Sequence, residues 1–264
     1  MTPILLLGAG RMGGALIAGW TKAGAFAPAE LIIRDPAAGP EARAAQAAGA
    51  TLNPPDDVLA RARTVLLAVK PQVWKDAAAA YAPLLAPDAV IVSIAAGVGA
   101  GPISAAFGGR AVARVMPTTG AAIGMGTASV YAADPAARAR AHALFAPVGA
   151  VVDLDDEELM HAATAVSGSA PAYLYAFIEA LEAAGVAAGL GADAARTLAR
   201  STIAGSAALL AQSGEDPAEL RRQVTSPGGT TQAALEVLMG GGGLAPLLDR
   251  AVAAAVERSK VLGG

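Results

Sequence analysis

The chain has 264 residues, a net charge of −3, 16% charged residues and no cysteine. Weak acidity is a poor match to the polyanionic backbone of nucleic acid, and no basic amphipathic stretch marks a membrane-surface segment. The missing cysteines exclude disulfides, thiolate nucleophiles and cysteine-bound metal, and fit a cytoplasmic protein.

The N-terminus, MTPILLLGAGRMG, lacks a cationic lead and reads as a buried strand rather than a signal peptide. From there short apolar runs alternate with alanine-rich helical ones. PILLL (3–7), LIIR (31–34), TVLLAV (64–69), AVIVSI (89–94), AVARVM (111–116) and TASVYA (127–132) have the look of buried strands. Residues 11–24 and 71–85 between them carry helical patterns. Alternation of this kind predicts βαβ units on a parallel, doubly wound sheet, an α/β fold. The uncharged stretch 89–109 is long enough to span a bilayer. Its five glycines, one proline and two serines break it into strand, turn and helix.

Near residues 153–157 the pattern changes. DLDDEELMHAATAV (153–166) opens with acids suited to a helix N-terminus. After it the sequence predicts only helices, over about 171–190, 194–213, 217–224, 231–239 and 244–262. Pro171 and Pro217 fit first-turn positions, and Gly214 and Gly240 fit helix stops. We therefore divide the chain into residues 1–155, an N-terminal sheet domain, and 156–264, an all-α domain. The helix beginning at Pro171 is apolar nearly all round, which calls for burial on most sides. A second copy of the chain is the economical partner, with burial inside its own domain as the alternative.

Three features carry chemistry. Gly8-Ala9-Gly10-Arg11-Met12-Gly13 lies between the first strand and the first helix, the context in which GxGxxG binds a dinucleotide pyrophosphate. Gly8 permits the turn, Gly10 lets backbone approach the phosphates and Gly13 lets helix and strand pack closely. The second strand ends in Arg34 and Asp35. An arginine there favours the extra phosphate of NADP, an acid favours the ribose hydroxyls of NAD, and having both leaves the choice open. Ala68, Val69, Lys70 and Pro71 end one further strand, and Ala95, Ala96 and Gly97 another, so both loops should face the same crevice. The third feature is RQVTSPGGTTQAAL (222–235), where Thr225, Ser226, Thr230 and Thr231 surround the bare backbone of Gly228 and Gly229. Small N–H and O–H donors at a helix start suit a small carboxylate.

The motifs GAGRMG, AVKPQ, SIAAGV, RVMP, SGSAPAY and VTSPGGTT, in this order and at these spacings, resemble the pyrroline-5-carboxylate reductases over essentially the whole chain. The resemblance implies a Rossmann domain followed by an all-helical dimerisation domain, and dimers that often assemble into decamers. It implies reduction of 1-pyrroline-5-carboxylate to L-proline with NADPH or NADH, NADPH slightly favoured. It places substrate on Ser167, Gly168, Ser169, Ser226, Gly228, Gly229, Thr230 and Thr231, with Thr231 beside the ring nitrogen as the catalytic hydroxyl. One departure is visible: the family's RVMPNTP reads RVMPTTG here, with Thr118 and Gly120 near where nicotinamide should lie.

A protonated imine is already an electrophile, so hydride transfer needs positioning more than acid–base groups. Only His142 and His161 exist, His161 reads better as structural than as a rim residue, and no cluster has metal-ligand spacing. A β-hydroxyacid dehydrogenase shares the domain plan but commonly needs a lysine base in the helical half. The only lysine after residue 75 is Lys260, four residues from the end. A non-catalytic NAD(P)-binding regulator would have no use for the SPGGTT loop.

Overall fold

The computed structural model describes residues 1–263. Its chain packs as two compact units, one of residues 1–168 with 255–263 and one of residues 169–254.

The first unit is built on an eight-stranded sheet: β1 (Ile4–Leu7), β2 (Leu31–Arg34), β3 (Thr51–Leu52), β4 (Thr64–Leu67), β5 (Val90–Ser93), β6 (Val112–Pro117), β7 (Gly126–Tyr131) and β8 (Gly149–Asp153). The strand order is β3-β2-β1-β4-β5-β6-β7-β8. Every residue of β1, β4, β5 and β6 is buried, as expected of strands covered on both faces. One face carries a core of Ile4, Leu6 and Ile33 with Leu16, Ile17 and Trp20 of α1 (Arg11–Ala23) and Ala42 of α2 (Pro40–Ala47). The other carries Leu5, Leu7 and Ile32 with Trp74 and Ala78 of α3 (Trp74–Tyr81) and Ile103 of α4 (Ala100–Ala106). Helix α5 (Pro135–Phe145) returns to the first face, where Trp20 Nε1 donates to the carbonyl of Leu144 at 2.7 Å. Order reverses at β1, where the chain goes first to β2 and β3 and then back to β4. The carboxyl ends of β1 and β4 therefore flank the crevice where ligands bind in such sheets.

The sheet is not wholly parallel. β7 runs antiparallel to β6, with Arg114 opposite Tyr131, and β8 is parallel to β7. The connection from Pro117 to Gly126 holds a single 3₁₀ turn, Thr119–Ile123, and is too short for a crossover helix, so the chain must reverse. Helix α6 (Leu159–Ala163) is shorter than the stretch expected from residue 153 and continues as a π-helical turn over Thr164–Gly168.

After β8 the described residues contain no strand. The second unit holds α7 (Ala170–Ala187), α8 (Ala192–Ser213), α9 (Pro217–Gln223) and α10 (Thr230–Leu238), and α11 (Leu244–Gly263) begins in it. Within the chain α7 has no buried residue, so the interior-helix alternative fails. Helix α9 is braced by Arg222 and Gln223, whose hydrogen bonds hold the Glu219 carboxyl below its usual pKa.

Trp20→Phe removes a buried donor, orphans the Leu144 carbonyl and leaves a void in the α1–α5 face. The expected loss is about 1–3 kcal/mol of stability, read from the midpoint of urea unfolding.

Candidate active site

The phosphate end is a turn that only glycine can make. Gly8 follows β1 with φ +95°, in the left-handed half of backbone space, and its N–H donates to the Arg34 carbonyl at 2.9 Å. A Cβ there would lie 2.9 Å from the carbonyl oxygen of Ala68, so the turn is pressed against the end of β4. Gly13 is buried, and a Cβ on it would collide with the carbonyl oxygen of Gly8, the close helix–strand approach expected of the third glycine. Gly10 is the N-cap of α1 and offers no side-chain cap to the N–H groups that follow. A Cβ on Gly10 would meet no atom within 4 Å. The turn thus fits a dinucleotide: bare N–H donors at the positive end of α1 face open space at Gly10. Arg11 and Met12 form the first turn of α1, Arg11 exposed and Met12 packed on the core.

At the end of β2 the two candidate side chains part. The Asp35 carboxylate turns to the phosphate turn, accepting the Ala9 N–H at 2.6 Å and the Ala37 N–H at 2.7 Å. Asn53, in a left-handed conformation at φ 48°, pairs with the Asp35 backbone in both directions, at 2.9 and 2.8 Å. Arg34 goes elsewhere. It donates to the Pro54 carbonyl at 2.6 Å, pairs with Asp56 and lies over the Tyr81 ring.

Ala68 and Val69 continue from β4, half-buried, and lead to exposed Lys70 and to Pro71 at the start of a 3₁₀ turn. Ala95, Ala96 and Gly97 form a tight turn after β5, closed by Val98 N–H on the Ala95 carbonyl, with Gly97 at φ +79°. Sequence reasoning missed what anchors the helix after this turn. Glu157 accepts the first N–H of α4, that of Ala100, at 2.7 Å, and its Oε1 also binds buried Arg114 at 2.8 Å. The available signal was an arginine inside an apolar strand, AVARVM. Thr118 closes the loop after β6, its Oγ1 accepting the Thr127 N–H at 2.9 Å. Gly120 sits so near the Met125 carbonyl that a Cβ would come to 2.5 Å.

The SGS run spans the boundary of the two units. Ser167 donates to the Ala163 carbonyl at 2.7 Å within the π turn, and a Cβ on Gly168 would lie 3.1 Å from the sulfur of Met116. Ser169 is the N-cap of α7. His161 is buried against Ser259 of α11, Nδ1 to Oγ 2.9 Å, which gives it the structural role.

In the second unit Ser226-Pro227-Gly228-Gly229 is a type II turn. Gly229 N–H closes on the Ser226 carbonyl at 3.0 Å, and Gly228 holds the required positive φ, +70°. Gln232 Oε1 accepts the Gly228 N–H at 2.8 Å and fixes the turn to the helix it precedes. Gly229 is then the N-cap of α10, again with no side-chain cap, so Thr230 and Thr231 open a helix whose first N–H groups are bare.

Residues 157–262 match a family model for pyrroline-5-carboxylate reductase dimerisation, and residues 3–97 match one described as NADP oxidoreductase, coenzyme F420-dependent. The pyrroline-5-carboxylate reductase of Pseudomonas aeruginosa is 39% identical over 98% of this chain and 96% of its own. The chain belongs to the pyrroline-5-carboxylate reductase family. Its members are NAD(P)-dependent oxidoreductases, and this chain has their reductase function. Solved structures agree. That of a pyrroline-5-carboxylate reductase from Coxiella burnetii superposes with a TM-score of 0.90 at 28% identity, covering 100% of this chain and 99% of the other. The Plasmodium falciparum pyrroline carboxylate reductase, solved with NADP bound, gives 0.84 at 27% identity, covering 100% and 98%.

Gly10→Val should fold, because its Cβ meets open space, and should weaken cofactor binding, because in a GxGxxG turn the pyrophosphate approaches the backbone at that glycine. An unchanged circular dichroism spectrum with at least tenfold weaker binding of NADH and NADPH in a fluorescence titration is the expected outcome.

Proposed function

We propose a division of labour for the family's reaction in this chain. Residues 1–155 hold the reduced dinucleotide, with Gly8, Ala9, Gly10, Arg11, Met12 and Gly13 at the pyrophosphate. Residues 68–71 and 95–97 line the path toward the nicotinamide. Residues 156–264 hold the substrate and the second subunit. The cofactor supplies a hydride when bound; the protein's task is to hold the imine and favour its reduced state.

The observation that carries the substrate assignment is the turn Ser226–Gly229 running directly into the uncapped start of α10. A carboxylate suits that place. It can take the free N–H groups of the first turn and the Thr230 and Ser226 hydroxyls, and the helix dipole adds attraction. Ser167, Gly168 and Ser169 complete the substrate set on the strength of the family resemblance. Thr231, in the first turn of α10, orients the ring nitrogen. Hydride adds to the imine carbon, the C=N π electrons pass to nitrogen, and the already protonated nitrogen becomes the secondary amine of proline. No proton must be removed from carbon or oxygen, which accords with a chain holding two histidines, one of them buried against Ser259.

The oligomer follows from α7 and its neighbours. Phe177 and Leu181 on α7 stay exposed in the single chain, as do Leu209 and Leu210 on α8 and Val237 on α10. Apolar exposure on this scale marks an interaction surface, and the matched dimerisation model supports a second copy as its occupant. We read the unit as a homodimer, with the decamer as its further assembly, in the cytoplasm. No helix among the described residues is long and apolar enough to cross a membrane.

Two outcomes check this reading. Thr231→Ala should lower kcat/KM for pyrroline-5-carboxylate about 10- to 1,000-fold, as for one preorganised donor, with cofactor affinity unchanged. Phe177→Glu combined with Leu181→Glu should convert the assembly to smaller species by light scattering at micromolar concentration, while wild type gives at least a dimer mass.

A further inference from the structure

We infer that the ribose end of this cofactor site is built for a 2′-hydroxyl and against a 2′-phosphate, with Asp35 as the discriminating residue, so the chain prefers NADH to NADPH. This rests on the assignment of the phosphate turn to the dinucleotide.

In the sequence alone, Arg34 and Asp35 side by side leave the choice of cofactor open. Side chains alternate along a strand. Ile33 packs in the core shared with α1 and α2, whereas Ile32 packs in the core shared with α3. Arg34 falls on the Ile32 face, away from the phosphate turn. There its guanidinium binds the Pro54 carbonyl and Asp56 and covers Tyr81, and its side chain is only 19% exposed. Turning it to a ligand would break an ion pair and strip its packing.

Asp35 is on the other side, one 2.6 Å hydrogen bond from Ala9 in the phosphate turn. Its carboxylate is held by two backbone donors, and Asn53 locks its main chain from below. A carboxylate offers about four acceptor sites, and two are used. What remains can take two O–H donors, as a ribose diol presents, and cannot donate to a phosphate. A phosphate monoester there would bring nearly two negative charges against a carboxylate that cannot swing away. A second acid stands near: Glu41 Oε2 lies 3.1 Å from where a Cβ on Gly14 would be and 3.4 Å from one on Gly39. No cation follows Asp35 until Arg43, exposed on α2.

The test is a fluorescence titration of the intact protein with NADH and NADPH, without substrate, paired with kcat/KM for each. Wild type should bind NADH about tenfold or more tighter than NADPH. Asp35→Ser, and Asp35→Asn as a variant that keeps one acceptor oxygen, should bring the ratio close to one or invert it, chiefly by gaining NADPH affinity. Equal or tighter NADPH binding by wild type overturns the inference and assigns the phosphate to Arg43. Equal weakening of both cofactors in both variants also overturns it, leaving Asp35 a brace for the turn. If neither dinucleotide binds wild type, the assignment of the phosphate turn fails first. If both bind but pyrroline-5-carboxylate is not reduced, the substrate reading fails and the ribose reading is still decided by the two affinities.

Discussion

The first unit depends on one contact that a side chain would destroy: the Cα of Gly13 against the carbonyl of Gly8. It lets α1 start directly over the end of β1, so the free N–H groups of its first turn stand at the carboxyl edge of the sheet. The same closeness brings Gly8 against Ala68, which sets the distance between the first strand and the strand beside it. Because Gly8 takes a left-handed conformation, its N–H can also reach the end of β2, at the Arg34 carbonyl. A turn of six residues therefore fixes three strand ends around one space, and the loops beyond those strands inherit their positions from it.

How much of this was legible follows from how each element keeps its shape. Strands covered on both faces are mostly apolar, and six strands of the sheet are legible as short apolar runs, even with Arg114 inside β6. β3 is two residues long, and β8 has no buried residue, so neither leaves an apolar signature. Helices α2, α4 and α5 are short and alanine-rich, with little periodicity to separate them from loop. The reversal at β7 was readable in principle from connection length, yet an apolar strand looks the same in either direction.

The site divides in the same way. Glycines speak in sequence because their spacing is local: GxGxxG, the turn at Gly97 and the Pro-Gly-Gly turn each do their work within a few residues. Partnerships do not. Asp35 meets Asn53 18 residues on, Arg34 meets Asp56 after 22 and Arg114 meets Glu157 after 43. Nothing in IIRDP says which of two adjacent charges faces the ligand. The answer comes from strand alternation together with which core each neighbour joins, and that needs the sheet.

One physical device recurs in both units. α1 and α10 each begin at a glycine with no side-chain cap, following a glycine at positive φ two residues earlier in one case and one residue earlier in the other. Leaving first-turn N–H groups without a capping side chain costs little at a glycine N-cap, roughly a few tenths of a kcal/mol relative to a serine or aspartate cap. The return is an anion site made of backbone, rigid because the helix is rigid and neutral in charge. Neutrality matters for this reaction. A lysine or arginine grip on the substrate carboxylate would place a full positive charge near a protonated imine and disfavour binding of that cationic form. In the proposed arrangement, dipoles and hydroxyls would hold the carboxylate without opposing the cationic nitrogen, and the chemistry would run on position alone.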